Sequence, residues 1–133
     1  MFNHDCTVYN KYKVAGVEKY QSTVLQGVFW DSSTGANVLK SGIANAAGLL
    51  LLIPHNIQAA GRYLPPHAWQ ALEDKTGYWT LQEGDSMVKG VCDYVITKSA
   101  QELKQRYEDV RIITAIDNHD YGGNMAHWEV TGK

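Results

Sequence analysis

The residues of this chain that could do chemistry are few and scattered. His4, Asp5 and Cys6 stand together near the start, and His119 and Asp120 stand near the end with His127 a little further on. Imidazole, carboxylate and thiol are the donors that hold zinc and related metals, so these six residues are the candidate metal set. Their spacing does not support it. No HxH or HxxxH pair is present, and Asn118-His119-Asp120 lies in a Gly-rich turn, where Asn and Asp serve their own backbone. Turn chemistry is therefore expected, with no metal and no cofactor.

Nucleophilic catalysis would draw on Cys6 or Cys92 with a histidine. Cys92 falls in phase with apolar neighbours and reads as a small buried hydrophobe, whereas Cys6 reads as the more exposed thiol, with no base or orienting group beside it. Acid/base work would draw on Glu73-Asp74 or on Glu83 and Asp85. These sit at a helix end and in a turn, where solvated carboxylates are ordinary. No phosphate-binding P-loop, dinucleotide GxGxxG or GxSxG elbow occurs. The expectation is a protein that is not an enzyme.

Aromatic residues are the more informative class. The 133 residues include eight Tyr and four Trp but only two Phe, which favours rings that keep a polar edge near water or a partner. Trp30, Trp69, Trp79, Tyr107 and Trp128 fall in core phase or on a helix face. Tyr63, Tyr78 and Tyr121 fall at loops and are expected at an interface, with core or rim packing as the alternative, together with Lys40 and Arg62 in the long loops and Tyr9 and Tyr12 on the first strand.

Composition bounds the class of molecule. The length suits one domain spanning residues 1–133. Hydrophobic residues make up 44% and charged residues 20%, the balance of an ordinary globular domain. A formal net charge of −2, with no basic block, argues against a dedicated phosphate-binding surface and tight DNA binding. Two cysteines far apart form no disulfide framework and suit a reducing compartment. The polar start MFNHDCTVYN lacks the pattern of a secretory leader, and the apolar run Ala46 to Ile53 is far shorter than the ~20 residues a membrane-spanning helix needs. No membrane association is expected.

The elements that must position these residues are mostly strands. Cys6 to Lys13 is a short strand ending at Ala15-Gly16. Tyr20 to Trp30 is a long strand with Val24, Val28 and Trp30 on one face and Thr23, Leu25 and Phe29 on the other. Leu49 to Ile53 is a strand closed by Pro54, and His55 to Tyr63 is a loop. Pro65 and Pro66 introduce a helix of about two turns in HAWQALEDK, stopped by Gly77. Tyr78 to Leu81 and Met87 to Thr97 read as a hairpin around Glu83-Gly84-Asp85. Ser99 and Glu102 form a capping box for a helix running to about Tyr107. Val110, Ile112, Thr114 and Ile116 then alternate with Arg111, Ile113, Ala115 and Asp117, and a turn over 117–124 leads to a strand with Ala126, Trp128 and Val130 inward. Sequential hairpins without βαβ alternation predict a mainly β fold: a small antiparallel barrel or sandwich of six to seven strands with two short helices. The stretches Asp31 to Gly48 and His55 to Pro66 are long for such a domain and are expected to be functional loops.

Several segments taken jointly carry a family likeness: Thr7-Val-Tyr-Asn-Lys-Tyr12, Val24 to Trp30 (VLQGVFW), Gly84-Asp-Ser-Met-Val-Lys-Gly90, and Ile112 to Lys133 with His127-Trp-Glu-Val130 and Gly132-Lys133. In these the chain resembles small prophage proteins encoded among the head and tail morphogenesis genes of phages of Gram-positive bacteria. Ala46 to Ile53 is more apolar than that family suggests. The resemblance implies a head-closure (stopper) or neck connector protein of siphophage-like particles. Such a protein forms a homo-oligomeric ring, sixfold here, contacts portal or adaptor and tail proteins, and surrounds DNA without reading its sequence. Its place is the virion neck, reached from the host cytoplasm during assembly. The resemblance further implies that Val110 to Val130 or Thr7 to Tyr12 meets the adjacent ring or subunit. A mildly acidic chain suits a channel through which DNA slides, because each phosphate contact would add affinity. A tail-completion or minor capsid protein, or a small-ligand-binding β-barrel, are the alternatives.

Overall fold

A computed structural model describes residues 4–33, 48–55, 57–59, 61–119 and 126–133. Its strands are β1 (His4–Val14), β2 (Val17–Ser33), β3 (Gly48–Pro54), β4 (Gln58–Ala59), β5 (Arg62–Tyr63), β6 (Tyr78–Trp79), β7 (Ser86–Lys89), β8 (Val110–His119) and β9 (His127–Gly132). The helices are α1 (Pro66–Gln70) and α2 (Gln101–Arg106). No helix among the described residues is long and apolar enough to cross a membrane.

The ladder runs β1-β7-β8-β9-β3-β2, and β2 pairs back to β1, so six antiparallel strands close on themselves. Closure satisfies strand edges that an open sheet would leave bare. β4 adds to β2 at Leu25 and Gln26, and β5 pairs with β6 in parallel as a separate ribbon. The mainly antiparallel β fold with two short helices is as the sequence predicts.

Each ring strand contributes its inward side chains to one cluster: Cys6 and Val8 from β1, Leu25, Val28 and Trp30 from β2, Leu49, Leu51 and Ile53 from β3. Met87, Ile113, Trp128 and Val130 complete the wall, and Trp79 and Leu81 join from the segment around β6. These side chains form a single buried apolar cluster. Burying a large side chain of this kind is worth about 1.5–3 kcal/mol, so this cluster dominates the favourable side of folding. A second cluster of Tyr9, Val88, Cys92, Leu103 and Val110 lies on the opposite face of β1, β7 and β8. Gly90, at φ +93, reverses the chain after β7. Residues 91–96 then lie as a strap over that face: Cys92 N–H donates to Thr7 Oγ1 at 3.0 Å, and Tyr9 Oη donates to the Tyr94 carbonyl at 2.7 Å.

Two bulges correct the expected strand phases. In β2, Asp5 pairs with Gln26 and His4 with Val28, leaving Gly27 as the extra residue at φ +90. A bulge shifts the alternation by one. Thr23 and Leu25 before Gly27, and Val28 and Trp30 after it, are therefore all buried. In β8 the register shifts between Ile113 and Ala115. Ile113 and Ile116, three residues apart, therefore both pack on the interior cluster, while Val110 faces the outer one and Thr114 is exposed, in place of one continuous inward row.

Other expectations are also corrected. The segment His55 to Tyr63 contains β4 and β5 and is not simply a loop. β6 and β7 do not form a hairpin, because β7 lies between β1 and β8 while β6 joins β5. α1 covers five residues, not two turns. Lys75 Nζ donates to the carbonyls of Leu72 at 2.8 Å and Gln70 at 3.3 Å, which a longer helix would give to its own N–H groups. At α2 only half of the capping box forms. Glu102 accepts from the Ser99 N–H at 2.8 Å, but the N-cap is Ala100 and no side chain caps it.

Candidate interaction surface

Four of the seven residues expected at an interface come together around β5, β6 and α1. Pro66 opens α1 and Trp69 is its buried residue. Trp69 Nε1 donates to the Tyr78 carbonyl at 3.3 Å, which fixes the indole against β6. The Tyr12 ring meets Trp69 edge-on at 5.6 Å. Lys75 Nζ lies 4.9 Å from the Tyr12 ring and 5.1 Å from that of Trp69, a cation held over two aromatic faces. Arg62 and Tyr63 pair with Tyr78 and Trp79.

Tyr63 is half-buried, 4.4 Å from the Trp128 ring and 5.2 Å from that of Trp79. His55 lies on the other side of the group, 4.2 Å from Trp128. Burial pushes the Tyr63 hydroxyl above its ordinary range, offset in part by the Thr80 hydroxyl. Tyr78 is partly exposed, and its carbonyl also accepts from Gln21 Nε2 at 2.6 Å. Beside it a groove of about 260 Å³ is lined by Gln21, Ser22, Thr23, Gly61, Thr76, Gly77 and Tyr78. Arg62 stands exposed near its rim.

The remaining expected residues fall elsewhere. Tyr9 is 2% exposed and belongs to the outer core, its Oη 2.8 Å from Cys92 Sγ, so it cannot serve as a surface contact. Thr7, Val8 and Asn10 are fully buried as well, which removes the stretch Thr7 to Tyr12, Lys11 and Tyr12 apart, from the surface. Lys40 and Tyr121 lie outside the described residues. So does most of the stretch Asp31 to Gly48, whose two ends are the paired strands β2 and β3.

Several of the chemistry-capable residues are buried or held in internal bonds, whereas Glu73, Asp74 and Glu83 are exposed and Asp120 lies outside the described residues. Cys6 is fully buried, correcting the reading of an exposed thiol, and burial pushes its thiol far up. Cys92 is buried too, and both cysteines are free. His4 Nδ1 accepts from the Trp30 N–H at 3.1 Å. Buried Asp85 accepts from Gln82 Nε2 at 2.7 Å, Asn10 Nδ2 at 3.0 Å and the Lys11 N–H at 3.2 Å. Desolvation nevertheless keeps its carboxyl above the usual range. Among the described residues no three His, Cys, Asp or Glu side chains converge as a metal site.

Of two anchoring carboxylates, Asp109 went unread in the sequence and Glu102 was read only as part of a capping box. Asp109 Oδ2 accepts from Ser32 Oγ at 2.9 Å and Trp30 Nε1 at 3.1 Å, and Oδ1 accepts from Arg111 Nε at 2.9 Å. Those bonds outweigh desolvation and hold its carboxyl below the usual range. Glu102 accepts from Tyr94 Oη at 2.7 Å, from the Thr97 hydroxyl and N–H at 3.1 Å each, and from the N–H groups of Lys98 and Ser99. The Tyr94 bond, followed by those from the backbone, takes its carboxyl down to about 2. The Ser-x-x-Glu spacing was the one signal pointing toward Glu102.

These features define a class: a small antiparallel β protein whose strand pairings close on themselves around one buried apolar cluster, with an aromatic and cationic patch at one side. The chain belongs to a family of unknown function, DUF6751, whose model matches residues 1–133. Neither a curated protein nor a solved structure matches it significantly.

Proposed function

We propose that the protein is a non-catalytic structural component of a phage head–tail connector, acting as a head-closure protein in a homo-oligomeric ring between portal or adaptor and tail. The observation that carries the non-catalytic part is the engagement of Asp85, Glu102, Asp109, Cys6 and Cys92 in the interior or in internal hydrogen bonds. Groups fixed this way brace the fold and are not presented to a substrate. The head-closure part rests on the sequence resemblance, and a closed β ring with partly exposed tyrosines at Tyr12, Tyr63 and Tyr78 suits it, since Tyr supplies many interface hot spots. A small-ligand-binding barrel is less well supported, because the side chains of all six ring strands pack into one interior cluster.

The test is imaging of assembled phage particles carrying this chain. Density for a ring of copies at the neck is the expected result. Copies placed at the tail tip or as isolated units on the capsid would overturn the head-closure reading and favour the tail-completion or minor capsid alternative.

A further inference from the structure

Four large apolar side chains stand exposed among the described residues, in two pairs: Val14 (49%) with Val17 (58%), and Val91 (65%) with Val95 (75%). The first pair caps the β1–β2 hairpin, where Val14 and Val17 are cross-strand partners. β1 pairs with β7 only up to Tyr9, and β2 meets β4 only from Leu25, so the distal hairpin leaves the ring as a two-stranded ribbon. Its base is braced by Gln70 Nε2, which donates to the Lys11 carbonyl at 3.0 Å. Residues 13–19 are exposed throughout. By register, Val14, Val17 and Lys19 share one face, which thus presents two valines and a cation.

The second pair lies on the strap. Cys92, Tyr94 and Ile96 pack on the outer core, and the alternate residues Val91, Asp93 and Val95 are exposed. That face presents two valines around a carboxylate. The strap joins no other described segment by a backbone–backbone hydrogen bond. Both surfaces are apolar and they carry opposite charges, Lys19 on one and Asp93 on the other, yet one copy cannot bring them together. Tyr94 sits at Tyr9, and from Tyr9 to Val14 the extended strand runs about 16 Å.

We infer that the hairpin tip of one copy docks on the strap of the next, Val14 and Val17 around Val95, with Lys19 beside Asp93. Tip and strap are different surfaces, so the contact is head-to-tail and repeats from copy to copy, closing into a ring when the rotation allows. The inference deepens the ring reading and rests on it for closure. The valines supply burial, and the charge pair sets register and disfavours the tip-to-tip alternative.

The experiment mixes two full-length single-substitution variants, Val14→Cys and Val95→Cys, of which one carries a size tag, and oxidises them mildly at high concentration. Native Cys6 and Cys92 are buried and stay out of the reaction. A cross-linked heterodimer that dominates both homodimers is expected. Adding Lys19→Glu to the Val14→Cys variant lowers its yield several-fold, and adding Asp93→Lys to the other restores it. Predominant homodimers, no cross-linking at all, or indifference to the charge changes would each overturn the inference. A heterodimer from a protein missing from the phage neck removes the neck assignment and leaves the contact standing. Neck density in which tip and neighbouring strap lie apart does the reverse.

Discussion

The side-chain amide of Asn10 binds Thr80 as a neighbouring strand would: Nδ2 donates to the Thr80 carbonyl at 2.8 Å, and Oδ1 accepts from the Thr80 N–H at 3.1 Å. The same Nδ2 reaches Asp85 Oδ2 at 3.0 Å, so one buried amide ties β1 to the segment between β6 and β7. Replacing it with leucine leaves a backbone donor, its carbonyl and a carboxylate short of partners in the interior. Each such orphan costs about 1–3 kcal/mol, so Asn10→Leu is expected to destabilise by about 3 kcal/mol or more. Urea unfolding measures this, and a midpoint equal to that of the unsubstituted protein would refute the bracing role.

Glu102 and Asp85 are expected to respond to acid with opposite signs. The folded state depresses the Glu102 carboxyl from 4.5 to about 2, so its stabilisation is complete above 4.5 and lost as pH falls toward 2. Asp85 is raised above 3.8 by burial, so its contribution is present below 3.8 and lost as pH rises through its folded value. Carbon-detected NMR titration should find Glu102 ionising well before Asp85 as pH rises. Glu102→Gln should flatten the acid-side loss of stability between 4.5 and 2; an unchanged slope would mean that other groups carry it.

Both thiols are expected to be inert in the folded protein. Cys6 is fully buried with its thiol pushed up, and Cys92 sits against the Tyr9 hydroxyl. A thiol-reactive dye should label neither under native conditions and both in denaturant. Fast native labelling of either would contradict the packing described.

The hairpin turn holds Ala15 at φ 52 and Gly16 at φ 80, a two-residue turn with both central residues left-handed. Asn and Gly suit the first position better than Ala. Left-handed backbone costs an ordinary residue about 1–2 kcal/mol, so Ala15→Asn should stabilise by about 0.5–1 kcal/mol through partial relief of that strain. Thermal unfolding checks the sign.

What was legible in the sequence is what strict alternation and turn chemistry encode. Ala15-Gly16 marked the first hairpin, and Ala126, Trp128 and Val130 marked the buried face at the C-terminus. Gly27 and Thr114 broke the readings of their strands, because a bulge is set by the partner's register and leaves no periodicity of its own. Glu83-Gly84-Asp85 looked like a hairpin turn, but β7 found two antiparallel neighbours in β1 and β8, and β6 found β5. Of the surface set, Tyr12, Arg62, Tyr63 and Tyr78 converge. Tyr9 does not, since its ring and hydroxyl both have partners in the outer core.

The strap over β1, β7 and β8 has a kinetic consequence. Around Thr7 to Tyr9 and Met87 to Val88 the wall of the ring is covered by apolar side chains on both faces, the interior cluster on one and the strap's cluster on the other. Solvent can reach those amides only when the strap lifts and the ring opens, so their deuterium exchange should follow global unfolding. Amides of residues 13–19, bare on every side, should exchange through local fraying long before. The molecule therefore has one wall with the lifetime of the whole fold, and an arm that shares only β1 with it and moves on its own clock.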